Sequence, residues 1–169
     1  MTTGIRTVNS IWQDVYYIVV FLIVAGFAVY DAFKRRAPDK ALVLFCTMAL
    51  VSPALAAWDH NSGAVGWSNL ISPFLTALSG AATGFIVLLA AAMASKGGNG
   101  VGGGDIKLAA VLGFIYGPFN IIYILLIATL LAIPAGLIRR KQSGGKILRL
   151  PFVPFIAIGS LAAVIARFI

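Results

Sequence analysis

The chain has 169 residues, of which 60% are hydrophobic and only 11% are charged. In soluble domains roughly a quarter of the residues are charged. This composition therefore excludes a water-soluble surface and predicts a single transmembrane domain over residues 1–169, with lipid as its solvent. The net charge of +8 does not indicate a nucleic-acid partner, because the basic residues are grouped between apolar runs, as in the cytoplasmic loops of a membrane protein.

Six apolar runs, bounded by charged residues, glycines and prolines, are predicted to form helices. The predicted spans are residues 15–33, 41–58, 70–95, 106–116, 119–138 and 150–169. A membrane-spanning helix needs about 20 residues, so the fourth run is short, and Gly117-Pro118 ends it. The pattern predicts an all-α membrane protein with six transmembrane helices in one bundle.

The distribution of Lys and Arg decides whether the short fourth run crosses the membrane. If all six runs cross, eleven of the thirteen basic residues lie on one side, and only Arg6 and Arg167 lie on the other. If the fourth run does not cross, the basic loops face both sides. Cytoplasmic loops carry the Lys and Arg excess, so we expect a multi-pass protein of the cell membrane with both termini outside.

Two of the five aspartates lie at the cytoplasmic ends of predicted helices. Asp31 lies near the end of the first helix and Asp105 at the start of the fourth, which runs the other way, so both lie at the same depth. Asp14 and Asp59 lie at outer positions, and Asp39 suits a loop or a helix N-cap. Ionisable groups in such segments usually mark a functional path; the alternative is that each pairs with a nearby Lys or Arg.

The glycine-rich residues 97–104 precede Asp105. Irregular backbone at membrane depth is tolerated only against protein or a water-filled cavity; the alternative is a flexible surface linker. Two neighbouring carboxylates hold one proton between them, so one can act as a base and the other as an acid in peptide hydrolysis. The single histidine, His60, and the single cysteine, Cys46, make a Ser-His pair or a metal site poor competitors.

Helix position suggests which aspartate is ionised. Asp105 lies at a helix start, where the dipole favours negative charge, whereas Asp31 lies near a helix end, where the dipole disfavours it. We therefore expect Asp105 to be the ionised base and Asp31 to hold the shared proton.

These residues and their order resemble the type IV prepilin peptidases and preflagellin peptidases. The matching positions are Asp31 with Pro38 seven residues later, the G-x-G-D motif with Gly102, Gly104 and Asp105, then Lys107, and Pro-Phe-Val-Pro-Phe at residues 151–155. Departures are Ala37, where the family often has Ile or Leu, and Val153, where it often has Gly.

The resemblance implies an intramembrane aspartyl endopeptidase with Asp31 and Asp105 as the catalytic pair. Gly102 and Gly104 would shape the loop that presents Asp105, and no metal or organic cofactor is implied. The substrate would be a pilin-like precursor whose short basic leader is removed at the cytoplasmic face; substrate-binding residues are unknown. Larger members carry a methylating domain with a cysteine cluster, so the resemblance is to peptidase-only members such as those of tight-adherence pili.

Other interpretations stay open at this point. One is a non-enzymatic membrane protein, either a proton-linked transporter or a pilus assembly factor, that uses the aspartates as a relay. Another is a catalytically inactive member of the same fold. Presenilin-like proteases also combine Tyr-Asp with G-x-G-D, but their Pro-Ala-Leu motif follows the second aspartate, whereas here residues 53–55 precede it. Lys107 suits snorkelling to the interface at least as well as catalysis.

Overall fold

The computed structural model describes residues 8–34, 39–60, 67–94, 102–142 and 151–168. Within these ranges the chain is helical and has no strand. The helices are α1 (Val8–Lys34), α2 (Asp39–Ala49), α3 (Val51–His60), α4 (Trp67–Ala94), α5 (Gly103–Gln142) and α6 (Val153–Phe168). The all-α class predicted from the sequence is confirmed over this part of the chain.

The predicted second span, residues 41–58, is two short helices rather than one. α2 and α3 meet at a turn at Leu50. In a continuous helix, a proline ring collides with the carbonyl group four residues earlier. For Pro53 that carbonyl belongs to Ala49, the last residue of α2. α3 therefore begins after Ala49 and holds Pro53 in its first turn, where no helical N–H is needed.

A sharp bend divides α5 into two arms. Gly117 has φ 79° and ψ 173°, a backbone conformation that glycine adopts readily and other residues rarely do. Pro118 follows and lacks the N–H that would continue the helical hydrogen bonds. We call residues 103–116 the first arm and residues 118–142 the second arm. The helix break predicted at Gly117-Pro118 is confirmed.

The two arms run in opposite directions along α4. Close contacts join Gly80 to Gly113 and Gly117, and Gly84 to Ala109 and Ile121. The first arm therefore runs antiparallel to α4, and the second arm runs parallel to it. Glycine permits this approach, because a Cβ on Gly80 would lie 2.8 Å from the Cα of Gly117. Small residues bring membrane helices together in the same way.

α1 lies antiparallel to α6 and to the first arm of α5. Near the beginning of α1, Asp14 forms an ion pair of 2.9 Å with Arg167 of α6, and the rings of Tyr17 and Tyr116 are 5.3 Å apart. Near its end, Asp31 meets the first turn of α6. We call the end formed by the last turn of α1 and the first turns of α5 and α6 the aspartate end, and the opposite end the tyrosine end.

The outer surface of the helices is apolar, as expected for a chain whose solvent is lipid. By length and composition, three stretches could cross a membrane: Ile11–Asp31, Leu70–Ala94 and Gly103–Ile138. Two shorter apolar stretches are Leu42–Ala57 and Val153–Arg167. Because the third long stretch contains the bend at Gly117, its two arms would be separate crossings. The six crossings themselves stay a prediction.

Candidate active site

Asp31 lies on the buried side of α1. Val20, Val24 and Phe27 recur at helical spacing along this side, and each is less than 10% exposed. Asp31 continues the same row one turn further, so the helix that buries its apolar face also carries this carboxylate inward. Asp31 is only 6% exposed. A carboxylate in an otherwise apolar row is a candidate for function.

Asp105 is held by the backbone at the start of α5. Its amide donates to the carbonyl oxygen of Gly102 at 3.0 Å, and the Gly102 amide donates back to Oδ2 of Asp105 at 3.2 Å. The second bond is one half of a capping box, in which an acid at the third helical position accepts from the N-cap amide; Gly102 has no side chain to form the other half. Leu108 and Leu112 follow on the same face and are buried, so this face turns Asp105 toward the interior.

The structure brings Asp31 and Asp105 together at the aspartate end. The charge of one carboxylate acts on the other, although the two residues belong to different helices. They meet because α1 ends where the antiparallel first arm begins. A negative charge near a carboxylate disfavours its ionisation, so two neighbouring carboxylates can hold one proton between them. The pair can therefore present a base and an acid to one substrate.

A third group at this end is the backbone of Val153, to which the sequence assigned no role. Its N–H donates a hydrogen bond to the carboxylate of Asp31, while Oδ2 of Asp31 is buried without a hydrogen-bond partner. Val153 is the first residue of α6. The sequence signal for this contact is the proline pair, Pro151 and Pro154, which marks a helix start but does not say what that start faces.

The helix dipoles distinguish the two aspartates less in the folded protein than their own two helices predict. The expected ionised Asp105 and protonated Asp31 rested on one helix start and one helix end. Because α6 also begins at Asp31, both carboxylates lie at the N-terminal end of a helix, where partial positive charge favours an anion. At Asp31 the dipoles of α1 and α6 oppose each other, whereas at Asp105 only a favourable dipole acts. The difference behind the expected assignment is therefore smaller, and the assignment itself stays an untested prediction.

The other predicted motif residues lie around Asp105, except for one. Gly102 forms the N-cap, and Gly104 is partly buried in the first turn of α5. Lys107 is exposed, on a different face of the helix from Asp105, as its position two residues further requires. Pro38 lies outside the described residues. Across the described ranges, no three His, Cys, Asp or Glu side chains are grouped to hold a metal ion.

An apolar helical bundle with two interacting aspartates at one end defines a membrane protein with a candidate acid–base site. The model of the Type IV leader peptidase family matches residues 16–137. A curated protein of Bacillus subtilis (strain 168), named prepilin leader peptidase/N-methyltransferase, is 34% identical over 164 residues. That match covers 91% of this chain and 55% of the relative, so the chain spans about half the length of that protein. No solved structure matches the chain significantly.

The chain belongs to the type IV leader peptidase family. The resemblance predicted from the aspartate and glycine motifs is thereby confirmed at the level of the family. The residues that the family model matches include both Asp31 and Asp105 and end before α6. Val153 lies outside the range of this family model.

Proposed function

We propose that this protein is an intramembrane aspartyl endopeptidase that removes the short basic leader from type IV pilin-like precursors at the cytoplasmic face of the membrane. The observation that carries the proposal is the interaction of the Asp31 and Asp105 carboxylates at one end of an apolar bundle. Membership of a leader peptidase family supports it, as does the name of the Bacillus subtilis relative.

In the proposed reaction, one aspartate is ionised and the other carries the shared proton. The ionised carboxylate takes a proton from water, and the water oxygen attacks the carbonyl carbon of the scissile peptide bond. The protonated carboxyl donates a hydrogen bond to the carbonyl oxygen, where negative charge develops. The tetrahedral intermediate then collapses as the leaving amine is protonated. Neither step forms a covalent enzyme intermediate or calls for a cofactor.

The length of the first arm suits this reaction at a membrane interface. Residues 103–116 form a helix of about 21 Å at 1.5 Å per residue, whereas the hydrocarbon core is about 30 Å thick. If Gly117 lies at one interface, Asp105 lies several ångströms inside the other. A pilin-like precursor would be cut at this depth, where its polar leader meets its hydrophobic helix.

The alternative of a proton-linked transporter or an assembly factor with an aspartate relay has less support in the core. A relay needs ionisable groups or water at intervals across the bundle. Between the aspartate end and the tyrosine end, the described helices bury aliphatic side chains, among them Val20, Val24, Leu108, Leu112 and Ile156. A carboxylate pair confined to one end suits hydrolysis at one face better than transport through the bundle.

The direct test of the proposed function is cleavage of a precursor. Purified protein mixed with a pilin-like precursor is expected to shorten it at the junction between the leader and the hydrophobic helix. Mass spectrometry of the product identifies the new N-terminus. A precursor that stays intact with the folded wild-type protein would contradict the proposal and favour an inactive member of the family.

Substitutions at two neighbouring glycines test the support of Asp105. A Cβ on Gly102 would lie 3.2 Å from Oδ2 of Asp105, whereas a Cβ on Gly103 would have no atom within 4 Å. Gly102→Ala is therefore expected to displace the carboxylate and to lower the cleavage rate by up to about 10²-fold. Gly103→Ala is the matched control and is expected to cleave at nearly the wild-type rate. Equal rates for the two variants would count against this role of Gly102.

Cysteine labelling tests the proposed orientation, with both termini outside and the active site facing the cytoplasm. In a Cys46→Ser background, single cysteines replace Phe33 and Met93 at the aspartate end and Trp12 and Phe119 at the tyrosine end; all four native side chains are more than 60% exposed. The excess of basic residues predicts that the first two react from the cytoplasmic side and the last two from outside. Labelling of the two positions at one end from opposite sides would rule the orientation out.

A further inference from the structure

The first turn of α6 directs a single backbone donor at Asp31. Phe152 caps this helix, and its carbonyl oxygen accepts a hydrogen bond from the amide of Phe155 at 3.0 Å. Pro154 has no N–H to offer. In this turn the amide of Val153 is the donor that is left, and it donates to the Asp31 carboxylate.

The contact between Val153 and Asp31 is shielded from solvent. Val153 has no exposed surface and Asp31 is 6% exposed. Val153 belongs to the main hydrophobic core together with Ile156 and Ala157, one turn further along α6, and this packing fixes the position of the helix start. The carboxylate of Asp31 therefore has one oxygen held by the amide, while Oδ2 has no partner.

We propose that the backbone N–H of Val153 is a positioning group for the peptidase reaction. It fixes the rotation of the Asp31 carboxylate, so that Oδ2 is the oxygen that shares a proton with Asp105 and meets the substrate carbonyl. Val153 touches no reacting atom and acts through Asp31. The inference rests on the proposed function, in which the two aspartates are the catalytic pair.

The variant Val153→Pro replaces the N–H with the ring Cδ, so the hydrogen bond is lost and the Asp31 carboxylate must turn away from this position. Proline is favoured at the first position of a helix, because its fixed φ fits there and its missing N–H breaks no helical hydrogen bond. Phe152, the residue before it, lies outside the helix, where the restriction imposed by a following proline is tolerated. We expect kcat for precursor cleavage to fall about 10- to 100-fold, because the carboxylate is misaligned. KM should stay close to the wild-type value, since Val153 has no exposed surface for the precursor to contact.

The variant Val153→Ala is the matched control. It keeps the N–H but removes more of the buried side chain than proline does, so a purely structural role predicts a larger effect for alanine. We expect the opposite order, with kcat of Val153→Ala close to that of the wild type. Size-exclusion chromatography and thermal unfolding in one detergent verify that both variants are folded. An equal loss of kcat in the two variants would assign the effect to packing and overturn the proposal.

Infrared spectra of aspartate-labelled protein test the contact independently of activity. The carboxyl band that disappears in Asp31→Asn identifies Asp31. This band is expected to shift in Val153→Pro and to keep its position in Val153→Ala. A band that does not move in Val153→Pro would overturn the proposal even if kcat fell.

The measurements separate this inference from the proposed function. If the folded wild-type protein leaves the precursor intact, the peptidase function fails, and the catalytic role of the Val153 N–H fails with it. If the wild-type protein cleaves the precursor and Val153→Pro cleaves it equally fast, only the positioning role fails.

Discussion

Asp31→Asn and Asp105→Asn are each expected to lower the cleavage rate of a pilin-like precursor by about 10²- to 10⁴-fold, the usual contribution of one positioned acid or base. A single carboxylate cannot both take a proton from water and donate a hydrogen bond to the scissile carbonyl. Asparagine has nearly the volume of aspartate, so both variants are expected to fold. Initial cleavage rates of the purified variants, measured from the amount of shortened precursor, test the prediction.

Asp14→Asn is the matched control for these two variants. It makes the same chemical change at the tyrosine end, where Asp14 is paired with Arg167 at 2.9 Å. A partly exposed ion pair contributes little to stability, about 0–1 kcal/mol, so the cleavage rate should stay near that of the wild type. Near-full cleavage by either Asp31→Asn or Asp105→Asn would exclude that residue from the catalytic pair. A comparable loss in Asp14→Asn would point to a general effect of charge on the bundle.

Gly113→Ala is expected to destabilise the bundle more than a glycine-to-alanine change at a position with open space around it. A Cβ on Gly113 would overlap the backbone carbonyl oxygen of Gly80 and lie 3.2 Å from the amide nitrogen of Ala81. Because these are backbone atoms, α4 and the first arm must move apart to make room. Overpacking of this kind costs about 1–3 kcal/mol in free energy of unfolding, and the precursor cleavage rate should fall as the folded fraction falls.

Gly26→Ala provides the control for this packing prediction. Gly26 lies within α1, and a Cβ there would have no atom within 4 Å. Alanine is favoured over glycine in a helix by about 1 kcal/mol, so this variant should be at least as stable as the wild type. Thermal unfolding of both variants in one detergent measures the difference. A midpoint for Gly113→Ala equal to that of Gly26→Ala would contradict the close approach of α4 and the first arm.

The sequence by itself determined the helices and the end of the bundle where the two aspartates lie. Apolar runs specify α1, α4 and α6 because a helix in lipid satisfies its own backbone hydrogen bonds. Gly117-Pro118 specifies the bend in α5. Few residues other than glycine adopt the backbone angles of Gly117, and Pro118 has no N–H to continue the helical hydrogen bonds. Basic residues predicted the order of crossings, and that order placed Asp31 and Asp105 at the same depth. The prediction of a single helix over residues 41–58 was wrong. The ring of Pro53 would collide with the carbonyl group of Ala49, four residues earlier, in a continuous helix.

Only the tertiary structure decided which backbone group meets Asp31. The spacing of residues along a helix specifies which side chains share a face, but not which part of a distant helix packs against that face. The N–H of Val153 reaches Asp31 because α6 lies antiparallel to α1 and begins beside its last turn. From its own helix, Asp31 has an unfavourable dipole that Asp105 lacks; the start of α6 offsets that dipole and so reduces the difference between the two aspartates. The electrostatics of the pair therefore depend on helix packing, which the local sequence does not encode.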